Sequence, residues 1–124
     1  MERTFILLGA AFMFLAVGAG AFGAHGLSSY FAQYPALKDT FATAVRYHLI
    51  HGLALFAAAW VVTRYPGNWS HWAGYLFTLG IILFSGSLYL LVLTNTRWLG
   101  AITPLGGVAF LAGWVCLFAA AWRG

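Results

Sequence analysis

Eight charged side chains punctuate this chain, and between them lie four uncharged windows at residues 4–37, 47–63, 65–96 and 98–122. A helix needs roughly 20 mostly apolar residues to cross the hydrocarbon core of a bilayer, and each window is about long enough. The pattern predicts an all-α integral membrane bundle of four antiparallel transmembrane helices. The spans fall at about residues 4–23, 40–63, 71–94 and 104–122, within a single domain covering 1–124.

The punctuation between spans is specific. In the first window Gly9, Ala16, Gly20 and Gly23 permit close helix contact. Glycine then recurs at every third position through Gly26, which is expected to stop the helix in a left-handed conformation. Leu27, Tyr30, Phe31, Tyr34 and Leu37 follow helical spacing, with Ser28, Ser29 and Gln33 opposite. Two readings fit: a short amphipathic helix in the interface, ended by Pro35, or an irregular loop. Asp39 or Thr40 is placed to cap the second span. Pro66-Gly67 marks a turn, Asn95-Thr96-Arg97 ends the third span, and Thr103-Pro104 pairs a capping hydroxyl with proline at the first helical position. Trp69, Trp72 and Trp122 belong to one interfacial belt and Trp98 to the other.

Composition agrees with a bilayer environment. Charged residues make up 6% of the chain, against about a quarter in soluble domains. The net charge of +4 is spread over single cations: Arg3, Lys38, Arg46, Arg64, Arg97 and Arg123. With no basic stripe, nucleic-acid binding is excluded. Arg46, Arg64 and Arg97 read as interfacial anchors, their heads snorkelling to lipid headgroups. Cys116 has no second cysteine to pair with. The first apolar run, about 20 residues long and rich in glycine, exceeds a usual signal-peptide core and is read as a retained span.

Up-down threading brings the polar residues of the spans to one leaflet half. His25, Tyr47, His48, His51, Ser85, Ser87, Tyr89 and Thr103 are the candidates for a polar pocket there. Thr40, Thr43, Tyr47 and His51 recur at spacings of three and four and share a helix face. Arg46 lies about 27 Å from Arg64 along a helix, close to a full hydrocarbon thickness, so it can reach the interface. His51 lies about 7–8 Å deeper, where lipid offers no partner, and its imidazole must face the bundle or a wet cavity. A neutral ring is expected, one nitrogen donating and the other accepting, with Ser85 and Ser87 as candidate partners. The ring is then either a hydrogen-bonded peg between helices or part of a ligand or proton site.

Chemistry beyond hydrogen bonding is poorly supplied. His48 and His51 from adjacent turns, with His25 and water, would make a metal site, and the same residues would allow haem ligation. No carboxylate lies within the spans to complete such a metal site, and no metal and no cofactor is assigned. Ser85 or Ser87 with His51 supplies a nucleophile and a base, but no Asp or Glu to orient the imidazole. No catalytic residue is assigned. Gly106-Gly107 reads as a packing surface rather than a phosphate cradle.

Four pieces of the chain occur in order and cover nearly all of it: Gly20-Ala21-Phe22-Gly23-Ala24-His25, Tyr47 with His51, Phe84-Ser85-Gly86-Ser87-Leu88-Tyr89, and Thr103-Pro104-Leu105-Gly106-Gly107 followed by Phe110 and Gly113-Trp114. In series they resemble an uncharacterised membrane family, domain of unknown function 423, which includes the bacterial YgdD proteins and transmembrane protein 256. The resemblance implies four spans with cytoplasmic ends, in line with a slight excess of positive charge on the face holding Arg3, Arg64, Arg123 and the terminal amine. It implies no established activity, cofactor or substrate. His48 stands where the family commonly has glutamine, and Arg46 where an acidic residue can occur. The expectation is a multi-pass protein of the bacterial inner (cytoplasmic) membrane with both termini cytoplasmic. Its role is read as non-enzymatic binding, accessory or structural work, with membrane lipid, a second copy or another membrane protein as partner. The alternatives are a small transporter or proton relay, and a metal- or haem-binding membrane enzyme.

Overall fold

The computed structural model describes residues 1–124 and contains helices and turns only. Helix α1 runs Glu2–His25, α2 Ser28–Gln33, α3 Pro35–Arg64, α4 Asn68–Gly80, α5 Gly86–Thr94 and α6 Thr103–Arg123. A π-helical turn, Ile81–Ser85, joins α4 to α5 as one long element, and a 3₁₀ turn, Arg97–Ala101, leads into α6. Four stretches are long and apolar enough to cross a membrane: Glu2–His25, Pro35–Arg64, Asn68–Thr94 and Arg97–Arg123. They form an antiparallel helical bundle in which α1 packs along α3, α3 along the α4–α5 element, and α4 along α6.

Several boundaries differ from the expected ones for local reasons. Gly26 is right-handed (φ −69°, ψ −28°), and the chain turns through Gly26 and Leu27 directly into α2. The segment after the first span is thus the amphipathic helix and not the loop, with Phe31 buried beneath it. Pro35 ends that helix, as expected, and also begins the next one. Proline has no N–H to leave unsatisfied and its φ is already helical, so it suits a first turn. The residue before it, Tyr34, is accordingly extended (φ −128°, ψ 74°). The second span therefore starts before Asp39 and Thr40, and neither caps it. Thr40 Oγ1 instead donates back to the Ala36 carbonyl at 3.3 Å. The third span ends as expected at Asn95, which adopts the left-handed conformation (φ 51°). Gly67, at φ 143°, supplies the turn before α4 in a conformation that side-chain-bearing residues rarely adopt.

Aromatic rings seated on glycines set the helix spacing. Phe5 of α1 lies against Gly74 of α4, Phe110 of α6 against Gly80 of α4, and Phe77 of α4 against Gly113 of α6. At Gly106 the backbone of α6 meets the backbone of Phe84 in the π-turn. Lipid tails are as apolar as these side chains, so the gain on packing comes from dense contact rather than from leaving water. The main core joins Phe5, Leu55, Phe77, Ile81, Phe110 and Cys116, and a smaller one, Leu27, Phe31, Phe41 and Val92, lies at the α2 end. Helix α1 meets α4 near its own N-terminus, where Phe5 stands edge-on to Tyr75 at 5.8 Å between ring centres. Towards its C-terminal end α1 keeps to α3, leaving a groove of about 490 Å³ between Leu15 and Phe22 on one side and Ile82 and Leu93 on the other.

Candidate functional site

The polar side chains between the helices occur as separate pairs. His51 of α3 is buried, and its ring stacks on Phe110 at 3.5 Å between centres and 7° between planes. Its Nδ1 lies 2.8 Å from the Tyr47 carbonyl one turn earlier, and its Nε2 lies 3.0 Å from Trp114 Nε1 of α6. A carbonyl can only accept and an indole N–H can only donate. The contacts therefore assign the neutral Nδ1–H tautomer, with Nε2 accepting from Trp114.

His48, one turn earlier and around the helix, faces a different neighbour. Its Nδ1 is 2.8 Å from the Tyr89 hydroxyl of α5. Its ring meets Phe12 of α1 edge-on, and Nε2 is the only buried side-chain nitrogen or oxygen in the chain without a hydrogen-bond partner. His48 forms part of the floor of the groove between α1 and α5, whereas His51 lines a separate hollow of about 440 Å³ with Tyr47, Pro104 and Trp114.

The hydroxyls also join helices. Ser85, fully buried in the π-turn, donates to the Ala44 carbonyl of α3 at 2.8 Å. Ser87 of α5 lies 2.7 Å from Thr103 Oγ1 of α6 and also donates to the Phe84 carbonyl at 2.9 Å. Their spacing explains the division: residues two apart on a helix point about 200° apart, so Ser85 is directed to α3 while Ser87 meets α6. Tyr30 of α2 completes the set by donating to the Val92 carbonyl at 2.6 Å.

The eight residues expected to form one pocket are thus divided. Ser85 and Ser87 are not partners of His51, because both are already engaged elsewhere. Thr103 does not cap α6 through its hydroxyl; that group is paired with Ser87. Tyr47 contributes its backbone carbonyl to His51, while its partly exposed ring packs on Phe84. His25 is exposed at the end of α1, apart from the other two histidines, and its carbonyl accepts from Ser28. No group of three His, Cys, Asp or Glu side chains is placed to hold a metal ion. Arg46, Arg64 and Arg97 are exposed near helix ends or on the outer face, with the Arg64 guanidinium over the Tyr65 ring at 4.8 Å.

Trp114 and Phe110 were not foreseen as site residues. The signal was present: Trp114 sits in mid-window, far from either interfacial belt, and an indole N–H within the hydrocarbon needs an acceptor from the chain. A neutral histidine on a neighbouring span is the fitting one.

The profile of a family described as "Protein of unknown function (DUF423)" matches residues 19–107. The chain belongs to this family. It is 48% identical over 120 residues to the UPF0382 membrane protein YwdK of Bacillus subtilis (strain 168), covering 96% of each chain. It is 45% identical over 121 residues to a UPF0382 membrane protein of Staphylococcus aureus (strain bovine RF122 / ET3-1), covering 98% of this chain and 97% of that one. A UPF0382 membrane protein of Staphylococcus epidermidis (strain ATCC 12228) is 46% identical over 119 residues, covering 93% of this chain and 92% of the relative. No solved structure matches. This DUF423 chain is a membrane protein of a family whose biochemical role is unknown.

Proposed function

We propose that this DUF423 protein is a non-enzymatic lipid-binding or accessory protein of the bacterial cytoplasmic membrane. Its intramembrane polar groups hold the spans together, and its ligand-binding surfaces are the grooves open to lipid. One observation carries this reading: all the buried side-chain polar atoms except His48 Nε2 are already satisfied within the chain, most of them across a helix boundary. A catalytic or relay histidine needs a free lone pair or proton facing substrate or water; His51 has neither, and the unpartnered His48 Nε2 is fully buried, beside the Phe12 ring.

The packing also favours binding over transport. Beyond His51, the bundle interior towards the chain termini is filled by Phe5, Leu55, Ala58, Ala73 and Phe77, which give a proton or ion no polar step. The slight charge bias supports both termini on the cytoplasmic side and the paired polar groups in the outer leaflet half.

Two measurements test the proposal. Native mass spectrometry of protein extracted in mild detergent should show retained lipid. Proteoliposomes should show no flux of protons or common ions above empty vesicles. Substrate turnover abolished by His51→Ala, or a flux that the same substitution removes, would overturn it.

A further inference from the structure

We propose that the groove between α1 and α3 is a binding site for an anionic phospholipid, its phosphate held by Lys38 and Arg46 and one acyl chain lying past Gly20 towards Leu49 and Ile50. This deepens the lipid-binding reading and rests on it. The groove has a volume of about 500 Å³, is walled mainly by apolar atoms, and holds these two cations at its sides.

The placement of the charges follows from helix geometry. Lys38, Ala42, Val45, Arg46 and Leu49 recur at three- and four-residue intervals and share one face of α3. Lys38 and Arg46 are separated by about 12 Å along the axis, and side chains of their length can converge on a group between them. If Arg64 marks the opposite hydrocarbon edge, Arg46 lies at the near edge, about 27 Å away, and Lys38 lies among the headgroups. A phospholipid phosphate belongs at this depth.

Charge complementarity selects the headgroup. The chain has two carboxylates, Glu2 and Asp39. Glu2 begins α1 at the other end of the bundle, and Asp39 is not among the residues lining the groove. Neither Lys38 nor Arg46 forms an ion pair, so both charges are free for an external anion. Below them the groove is apolar down to Leu49 and Ile50, about 18 Å along α3 from Lys38, which suits an acyl chain and not a free phosphate. On the α1 side the wall is low at Gly20, which carries no side chain, whereas the Phe41 ring covers Gly23. A Cβ at Gly20 would meet Val45 Cγ1 at an ordinary 3.6 Å, so the glycine is not required for helix packing there.

The test is native mass spectrometry of the full chain after delipidation and titration with phosphatidylglycerol or phosphatidylcholine of identical acyl chains. Phosphatidylglycerol should be retained preferentially, and Lys38→Gln and Arg46→Gln should each lower its retention about fivefold with little effect on phosphatidylcholine. Gly20→Leu, which narrows the groove and leaves both cations in the chain, should lower retention of phosphatidylglycerol while circular dichroism stays helical. Equal retention of both lipids, or retention unchanged by the two glutamine variants or by Gly20→Leu, overturns this site. Equal retention leaves the broader lipid-binding reading standing, whereas no retained lipid in any arm removes both.

Discussion

Trp114 of α6 donates its indole N–H to Nε2 of His51 on α3 at 3.0 Å, while the same imidazole donates through Nδ1 to the Tyr47 carbonyl. One ring thereby fastens two spans and fixes its own tautomer. The arrangement satisfies an indole and an imidazole at a depth where lipid satisfies neither.

The tautomer is directly observable. Nitrogen-15 spectra of histidine-labelled protein in bicelles should show His51 with Nδ1 protonated and Nε2 bare. Trp114→Phe should shift the Nε2 resonance and leave that of His48 in place. A protonated Nε2 in the unsubstituted protein would contradict the assigned network.

Tyr89→Phe removes the hydroxyl that serves His48 Nδ1, so both ring nitrogens of a buried imidazole then lack partners. Intramembrane hydrogen bonds average about 0.6 kcal/mol and reach about 1.7 kcal/mol. The loss should lie in the upper part of that range, measured by reversible unfolding in mixed micelles. The hydroxyl pair between Ser87 and Thr103 should be worth less, because Ser87 retains the Phe84 carbonyl when Thr103→Val removes its other partner.

Glycine substitutions should separate packing from mere flexibility. A Cβ at Gly80 would run into the Phe110 ring, and Gly80→Ala should cost about 1–3 kcal/mol through overpacking. Phe110 also supports His51, so the substitution should disturb the Trp114 contact as well. Gly18 has nothing within 4 Å of an added Cβ, and Gly18→Ala should be neutral or slightly stabilising. Thermal unfolding of the two variants in one detergent makes the comparison.

The spans were legible because charge is so scarce that its positions alone divide the chain into membrane-length pieces. Asn95 was readable as a stop, since few other residues enter the left-handed region without strain. Pro35 was read only as the end of α2; its second role, opening α3, was missed because proline both ends and begins helices. The sequence pointed to His48, His51, Ser85 and Ser87 as groups between the helices, where they are buried, but not to their partners. Pairing depends on the rotational phase of each helix, and the π-turn at Ile81–Ser85 shifts that phase within the third span. Ser85 and Ser87, two residues apart and so on opposite faces, could not both meet His51; one belongs to Ala44 and the other to Thr103.

The central claim is that the intramembrane polar groups act in pairs across helices, and double-mutant cycles in a bilayer-mimetic unfolding assay test it most directly. His51→Leu combined with Trp114→Phe should show a coupling of about 0.6 kcal/mol or more, while His51→Leu with Ser85→Ala should be additive. Additivity in the first cycle together with coupling in the second would place the serines and His51 in one shared site and contradict the account.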